Sequence, residues 1–300
     1  MRENKKVFFI INKYSGTGYQ PEVEGKIITA CGRVNLECTI EFTQRRGHAT
    51  ELAHYAVQQK FDAVFAVGGD GTVNEVAKGL INTGIVMGIL PKGSGNGLAR
   101  HLGIPMRLEG ALELMTSKQN ILMDTLVVND KLSVNVSGIG FDGHVAGMFG
   151  NDGKRGLWGY GKLVLTEFQR YPEFKAELIV DGIRREREAF VIALANSSQF
   201  GNNAKIAPEA SVCDQFMDVC IIRKVPFAQA LGFTKKMFTG KINRSKFVEI
   251  TKAKNIILNF SQPMAYHIDG EAMPPLRNFS VEVRPGTLKM LLPENVKTEV

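Results

Sequence analysis

Ala63-Val64-Phe65-Ala66-Val67-Gly68-Gly69-Asp70-Gly71-Thr72-Val73-Asn74-Glu75-Val76 is the stretch from which the fold is read. Five uninterrupted apolar residues describe a strand covered on both faces. Gly68 to Gly71 then form a loop of three glycines and one carboxylate. From Thr72 to Ile81 the pattern is helical, with Val73, Val76, Ala77 and Leu80 on one face. Glycines let a backbone approach a ligand closely and present its N–H groups, and a helix N-terminus favours anions. The place suits a phosphate; the plainer alternative is a tight strand-to-helix turn with no ligand.

The same signal recurs downstream. Ile85 to Leu90 is a second strand, Pro91-Lys92-Gly93-Ser94-Gly95-Asn96-Gly97 a second glycine loop, and Leu98 to Leu102 a helix. Two such loops at successive strand ends lie side by side on the carboxyl edge of a parallel sheet. Lys92 and Arg100 add positive charge for a polyphosphate. Upstream, Val7 to Ile11 is another buried strand, and Ser15 to Gly18 a turn. A helix carries Val23, Ile27 and Ala30, a strand Leu36, Cys38, Ile40 and Phe42, and a helix spans Ala49 to Gln59. Leu108 to Met115 is also helical. Strands alternating with helices imply an α/β domain over residues 1–125.

Beyond residue 125 the pattern turns strand-rich and antiparallel. Candidate strands flank Asn129-Asp130 and Asp181-Gly182, and five more run from Val219 to Val283. Only Phe227 to Phe238 reads as a sound helix there. In this half His267-Ile268-Asp269-Gly270-Glu271 is an alternating strand ending in a carboxylate turn, a common hairpin signal. Gly138-Ile139-Gly140-Phe141-Asp142-Gly143 matches a dinucleotide fingerprint formally, but glycine-broken sequence follows it and no acid lies about 20 residues on. Walker A fails, because Gly153-Lys154 is followed by Arg155 and position 148 is Met. No GxSxG elbow exists, because Lys92 precedes Gly93-Ser94 where that motif needs glycine.

The 300-residue chain is 44% hydrophobic and 22% charged, which excludes long disorder, collagen and coiled coil. No uncharged stretch is apolar enough for a spanning helix, and the N-terminus lacks the apolar core of a signal peptide. Four cysteines, with no CxxC, read as plain thiols in a reducing cytoplasm. The net charge is +7, and residues 223–254 carry nine Lys/Arg against Glu249 alone. A basic patch suits anionic lipid, phosphate-rich ligands or nucleic acid. The segment has few interleaved aromatics, so nucleic acid is not expected.

The pieces fall in the order of a family. Ile11-Asn12-Lys13-Tyr14-Ser15-Gly16, Thr43 with Gly47-His48-Ala49, Gly68 to Thr72, Gly93-Ser94-Gly95-Asn96 with Ala99-Arg100, Gly138 to Asp142, Pro208 to Asp218, and Asp269-Gly270-Glu271 together resemble the diacylglycerol kinase-like lipid kinases, which include sphingosine and ceramide kinases. The resemblance spans nearly the whole chain. It implies a phosphofructokinase/NAD kinase-like α/β domain over 1–125, completed by 286–300, and an antiparallel β-sandwich over 126–285 that binds the lipid. It implies ATP-dependent phosphorylation of a lipid hydroxyl, of diacylglycerol or sphingoid type. ATP is expected at Asn12, Ser15, Thr43, Gly68, Gly69, Asp70, Gly71, Thr72, Gly93, Ser94 and Asn96.

Asp269 or Glu271 is the implied base, and Asp70 the residue ordering Mg²⁺ through water. Asp269→Asn and Glu271→Gln are expected to fold normally. A structural Mg²⁺ is implied at Ser211, Asp214 and Phe216. Two positions depart from the family pattern: Gly97 stands where the bacterial diacylglycerol kinases commonly carry Asp, and Gln215 where the metal loop usually has Gly. A lipid kinase without a spanning helix implies a cytoplasmic protein docking peripherally on an anionic membrane through residues 223–254; a homodimer is left open. NAD kinase-like chemistry and a non-catalytic lipid- or nucleotide-binding protein are the alternatives. Diacylglycerol, sphingoid base, ceramide, phosphatidylglycerol and an undecaprenol-like alcohol all remain as acceptors.

Overall fold

In the computed structural model, residues 5–16, 21–150, 164, 166–294 and 296 are described. The expectations for Thr17-Gly18 and Gly153-Lys154-Arg155, and the last residues of the 286–300 segment, lie outside them. The elements follow in the order β1 (Lys6–Ile11), α1 (Glu22–Arg33), β2 (Glu37–Phe42), α2 (His48–Gln58), β3 (Ala63–Gly68), α3 (Asp70–Leu80) and β4 (Val86–Pro91). Next come α4 (Gly97–His101), α5 (Leu108–Leu112), β5 (Asn120–Val128), β6 (Lys131–Ser133), β7 (Val136–Gly140) and α6 (Phe141–Gly150). The chain continues through β8 (Phe174–Val180), β9 (Ile183–Ala189), β10 (Val191–Ala195), β11 (Met217–Ile222), α7 (Phe227–Phe238), β12 (Val248–Ala253), β13 (Asn255–Ile268) and β14 (Glu271–Leu291).

The first domain is a parallel sheet in the order β4-β3-β1-β2, with helices against it. The apolar runs of β1 and β3 are buried almost throughout, as strands covered on both faces must be. The second domain is a β-sandwich. One of its layers runs β12-β11-β10-β7 into the end of β13. The other joins β9, β8 and the start of β13 to β14, β5 and β6.

Period-two alternation explains why β10 and β11 are apolar at nearly every position. Ile192, Leu194, Met217 and Val219 enter the sandwich core, while Val191, Ala193, Cys220 and Ile222 face a second apolar cluster beneath α7. The 21-residue β14 ties the domains together. Val281 pairs with β5 within the sandwich, and Met290 pairs in parallel with Met87 of β4. Leu288, Met290, Leu291 and Leu292 are buried in the first domain's core, together with Leu132, Val134 and Val212.

Three local expectations change. α3 begins at Asp70 rather than Thr72, so the carboxylate sits in the first helical turn, where the helix dipole favours it. α6 forms despite its glycines, because Gly143 packs directly against the backbone of Ala265 and Tyr266, where a side chain would collide. The strands read separately at Ile256–Phe260 and Ala265–Ile268 are one strand, β13, with register shifts between Asn259 and Tyr266.

Candidate active site

Three loops meet at the carboxyl edge of the parallel sheet. Asn12, just after β1, donates from Nδ2 to Thr72 Oγ1 (3.1 Å) and from its backbone N–H to Val67 O. Lys92 donates to Ser15 O through its ammonium (3.0 Å) and to Gly68 O through its backbone. The glycines permit this contact. A Cβ on Gly16, with φ +66°, would lie 2.0 Å from Lys92 O, and one on Gly93 would lie 2.5 Å from Gly69 Cα. Thr43 joins by its N–H to Ile11 O. Ser94 is exposed at the tip of the second loop. Nearly all the residues expected around ATP are thus brought to one edge.

Asn96 and Asp70 shape this edge more than they line it. The Asn96 side chain folds its own loop, accepting from Gly93 N (2.9 Å) and donating to Gly93 O (2.7 Å). Asp70 accepts from Asn96 N (2.9 Å) and Gly97 N (2.7 Å), so its carboxylate fixes the second loop on the first. Burial raises the Asp70 pKa, those two backbone donors oppose the rise, and the Asp269 charge adds to it. Gly97 also has its reason here. A Cβ at 97 would lie 2.4 Å from Asn135 Nδ2 and 2.9 Å from the carbonyls of Gln199 and Phe200.

The carboxylate turn divides its two acids. Asp269 and Gly270 both have positive φ (49° and 87°), and Ile268 pairs with Glu271 across a two-residue hairpin. Asp269 is buried, and its carboxylate accepts four hydrogen bonds. Oδ1 takes Ser133 Oγ (2.6 Å) and Asn135 N (3.0 Å); Oδ2 takes Val134 N (2.8 Å) and Asn74 Nδ2 (2.8 Å). An ionised carboxylate has about four acceptor sites, so Asp269 is saturated by groups from α3 and from the segment between β6 and β7. Glu271 pairs with Arg46, in the loop that Glu75 holds through Gly47 N (2.8 Å) and Ala49 N (3.1 Å). Lys78 also feels the Asp269 charge, which opposes the lowering of its pKa by burial.

A second polar pair was not anticipated from sequence. His267 Nε2 lies 3.3 Å from Asp142 Oδ2, and both side chains are largely buried. Gly270 N–H donates to His267 Nδ1 (3.1 Å), which leaves the proton of the neutral ring on Nε2, toward Asp142. Gly138 is paired with His267 across β7 and β13, and a Cβ there would lie 1.7 Å from Asp142 Oδ2 and 2.7 Å from His267 Nε2. The glycines that mimic a dinucleotide fingerprint therefore make room for a carboxylate–imidazole pair. The signal available was Asp142 within that motif and His267 two residues before the turn.

Asp142 also lines a cavity of about 390 Å³ between α6, β10, β11 and α7, walled by Phe141, Phe168, Phe190, Phe200 and Met237. Phe200 connects this cavity to the edge formed by the glycine loops. Its ring centroid is 5.9 Å from that of His267, and the next residue, Gly201, forms a β-bridge with Asn96.

The residues named for a structural metal lie elsewhere, beside the β11–β12 layer. Asp214 accepts from Phe216 N (3.0 Å) and from the ammonium of Lys252, and Ser211 Oγ lies 3.4 Å from Cys213 N. Gln215 adopts φ +67°, the conformation that suits glycine. Lys252, whose pKa the hydrogen bond and charge of Asp214 raise, stands on the carboxylate that a divalent ion would need. The Asp214 carboxylate is thus taken by Lys252, and among the described residues no group of three or more His, Cys, Asp or Glu side chains assembles.

Residues 6–128 match the diacylglycerol kinase catalytic domain, and residues 136–292 match the YegS C-terminal NAD kinase beta sandwich-like domain. A "Probable lipid kinase YegS-like" of Klebsiella pneumoniae is 28% identical over 265 residues, covering 86% of this chain and 87% of its own. A "Diacylglycerol kinase" of Bacillus subtilis is 27% identical over 277 residues, covering 89% and 90%. The crystal structure of a diacylglycerol kinase from Bacillus anthracis shares the fold, with a TM-score of 0.76, 22% identity, and coverage of 99% of this chain and 100% of that one. With the two matched domains in order over almost its full length, the chain belongs to the diacylglycerol kinase-like lipid kinase family.

Proposed function

We propose that the protein transfers the γ-phosphate of ATP to the hydroxyl of a lipid, entering as MgATP and a single acceptor molecule. The observation that carries this reading is the apolar cavity lined by Asp142, which faces His267, and joined through Phe200 to the glycine loops. Its volume falls in the range of small-molecule sites, and its lining suits a hydrocarbon tail. The glycine edge supplies backbone donors to the phosphates and excludes side chains that would block them. Mg²⁺ bound with the nucleotide would supply charge neutralisation. Phosphoryl transfer needs chiefly positioning and charge stabilisation, and these loops provide both.

The geometry redistributes the work expected of the carboxylate turn. Asp269 has no acceptor site left for a substrate proton, so it holds the two domains in register. Asp142 accepts Gly143 N on Oδ1 (2.8 Å) but leaves Oδ2 without a hydrogen-bond partner, and its side chain lies on the cavity wall, so we assign it to receive the acceptor hydroxyl. His267 Nε2 stands 3.3 Å from Oδ2, which has no hydrogen-bond partner of its own. General-base assistance of this kind contributes roughly 10²–10⁴ in rate. The acceptor resides in a membrane, so the protein works as a peripheral enzyme, and its basic segment 223–254 supplies the charge for docking.

The test is transfer of labelled phosphate from ATP to diacylglycerol, sphingoid base, ceramide, phosphatidylglycerol or a polyprenol in mixed micelles. Asp142→Asn is expected to lower kcat at least a hundredfold with the fold intact. Full turnover by that variant would remove Asp142 from the mechanism. Absence of labelled lipid, with labelled NAD formed instead when NAD is offered, would replace the lipid reading with the NAD kinase-like one.

A further inference from the structure

We infer that the outer face of α7 inserts into an anionic bilayer leaflet and that this insertion presents the mouth of the cavity to the lipid. None of the twelve residues of α7 is buried. Phe227, Leu231 and Phe238 are 61%, 84% and 49% exposed. They stand at i, i+4 and i+11, which a helix places in one stripe. The next stripe around the helix holds Ala230, Phe233, Thr234 and Met237, and all four line the cavity. The exposed apolar stripe and the cavity lining are therefore contiguous on one helix. A side chain at Gly232 would meet nothing within 4 Å, so that part of the helix packs against no neighbour.

Charge selects the occupant of this face. Lys235 and Lys236 close the last turn of α7, and Lys241 and Arg244 follow it. Among the described residues none of these four forms an ion pair. Arg223 and Lys252 of the same basic segment, by contrast, are spent on Glu173, Glu188 and Asp214. Lys235 borders the apolar stripe and Lys241 and Arg244 follow the helix, while Lys236 lies on the opposite face and donates to Arg244 O. An apolar stripe edged by cations is the composition of a helix lying in a membrane interface, apolar side chains below the headgroups and cations among the phosphates. A protein partner of ordinary polarity would leave those cations desolvated. The cavity-lining stripe beside it gives the surface a purpose: a lipid would pass from the leaflet along α7 toward Asp142 without its tail crossing water. That purpose rests on the kinase reading; the insertion itself does not.

The experiment is co-sedimentation of the full chain with vesicles of equal parts phosphatidylcholine and phosphatidylglycerol, and with pure phosphatidylcholine. Wild type is expected on the anionic vesicles and not on the neutral ones. Phe227→Gln, Leu231→Gln and Phe238→Gln should each weaken binding about tenfold. Neutralising Lys235, Lys241 or Arg244 should weaken it about fivefold each. Circular dichroism and transfer to detergent-dispersed acceptor should be unchanged in the Phe227, Leu231 and Phe238 variants, which do not line the cavity. Equal vesicle binding by these variants and wild type, or no binding by wild type, would overturn the inference while leaving any observed transfer intact. Vesicle binding through α7 with no lipid phosphorylated would sink the kinase reading and leave the insertion standing.

Discussion

Replacing Asp269 with Asn tests whether this residue anchors the domains or moves a proton. In the structure its carboxylate accepts Ser133 Oγ and Asn135 N on one oxygen, Val134 N and Asn74 Nδ2 on the other. An amide keeps one acceptor oxygen and turns an NH₂ toward two donors. One orientation faces Val134 N and Asn74 Nδ2; the other faces Asn135 N while the Ser133 hydroxyl rotates. Either way at least one buried backbone N–H loses its partner, and every remaining bond loses its charge assistance. Hydrogen bonds to charged groups contribute about 1.5–3 kcal/mol each, so the expected loss is about 3–5 kcal/mol. That is a large part of a typical stability of about 5–15 kcal/mol. With a urea m-value of about 3 kcal/mol/M, the midpoint should fall by more than about 1 M. The assay is urea unfolding followed by circular dichroism, beside ATP-dependent transfer on the same preparations. A variant within about 0.5 kcal/mol of wild type that had nevertheless lost all turnover would refute the anchoring argument and restore Asp269 as the base. The expectation from sequence, that this variant folds normally, is the one the four donors reverse.

Three further perturbations follow from named contacts. Gly97→Ala should cost about 1–3 kcal/mol in thermal or urea unfolding, because its Cβ would collide with Asn135 Nδ2 and two carbonyls, and Gly97→Asp should cost more. Asp218 is buried, and that burial pushes its pKa up to about 6 from 3.8. The folded state therefore holds this proton more tightly than the unfolded chain, and stability falls as pH rises from about 4 through 6. Asp218→Asn should flatten that part of the stability–pH curve, an effect of up to about 3 kcal/mol from a shift of about two pH units. Lys252→Met leaves Asp214, with Asp218 and Glu209 near it, without their cation. Differential scanning calorimetry should show a lower Tm for that variant, partly restored by Mg²⁺, while wild type shows no response to Mg²⁺ at this loop.

Much of the glycine-loop edge was legible because its elements are local. An apolar run ending in Gly68-Gly69-Asp70, and another ending in Pro91 to Gly97, each specify a strand, a tight turn and a helix within about fifteen residues. Asp269-Gly270 declared its hairpin in the same way, through two residues that tolerate positive φ. The same local reading failed at α6, where glycines that weaken an isolated helix are required by close packing on β13.

The class of each half and the two glycine-loop turns are written locally along the chain, because backbone propensity and hydrophobic period act over a few residues. The partners of the carboxylates come from the tertiary structure instead. Asp269 meets Asn74, 195 positions away, and Ser133, 136 positions away. His267 meets Asp142 because β13 pairs with β7 at Gly138, and Asp214 meets Lys252 beside a register that sets Asp218 opposite Lys252. Sheet register and domain docking place these groups, and both depend on the whole buried surface. A carboxylate's role is set by the donors and space that arrive from distant strands, and no residue type or spacing along the chain encodes their number.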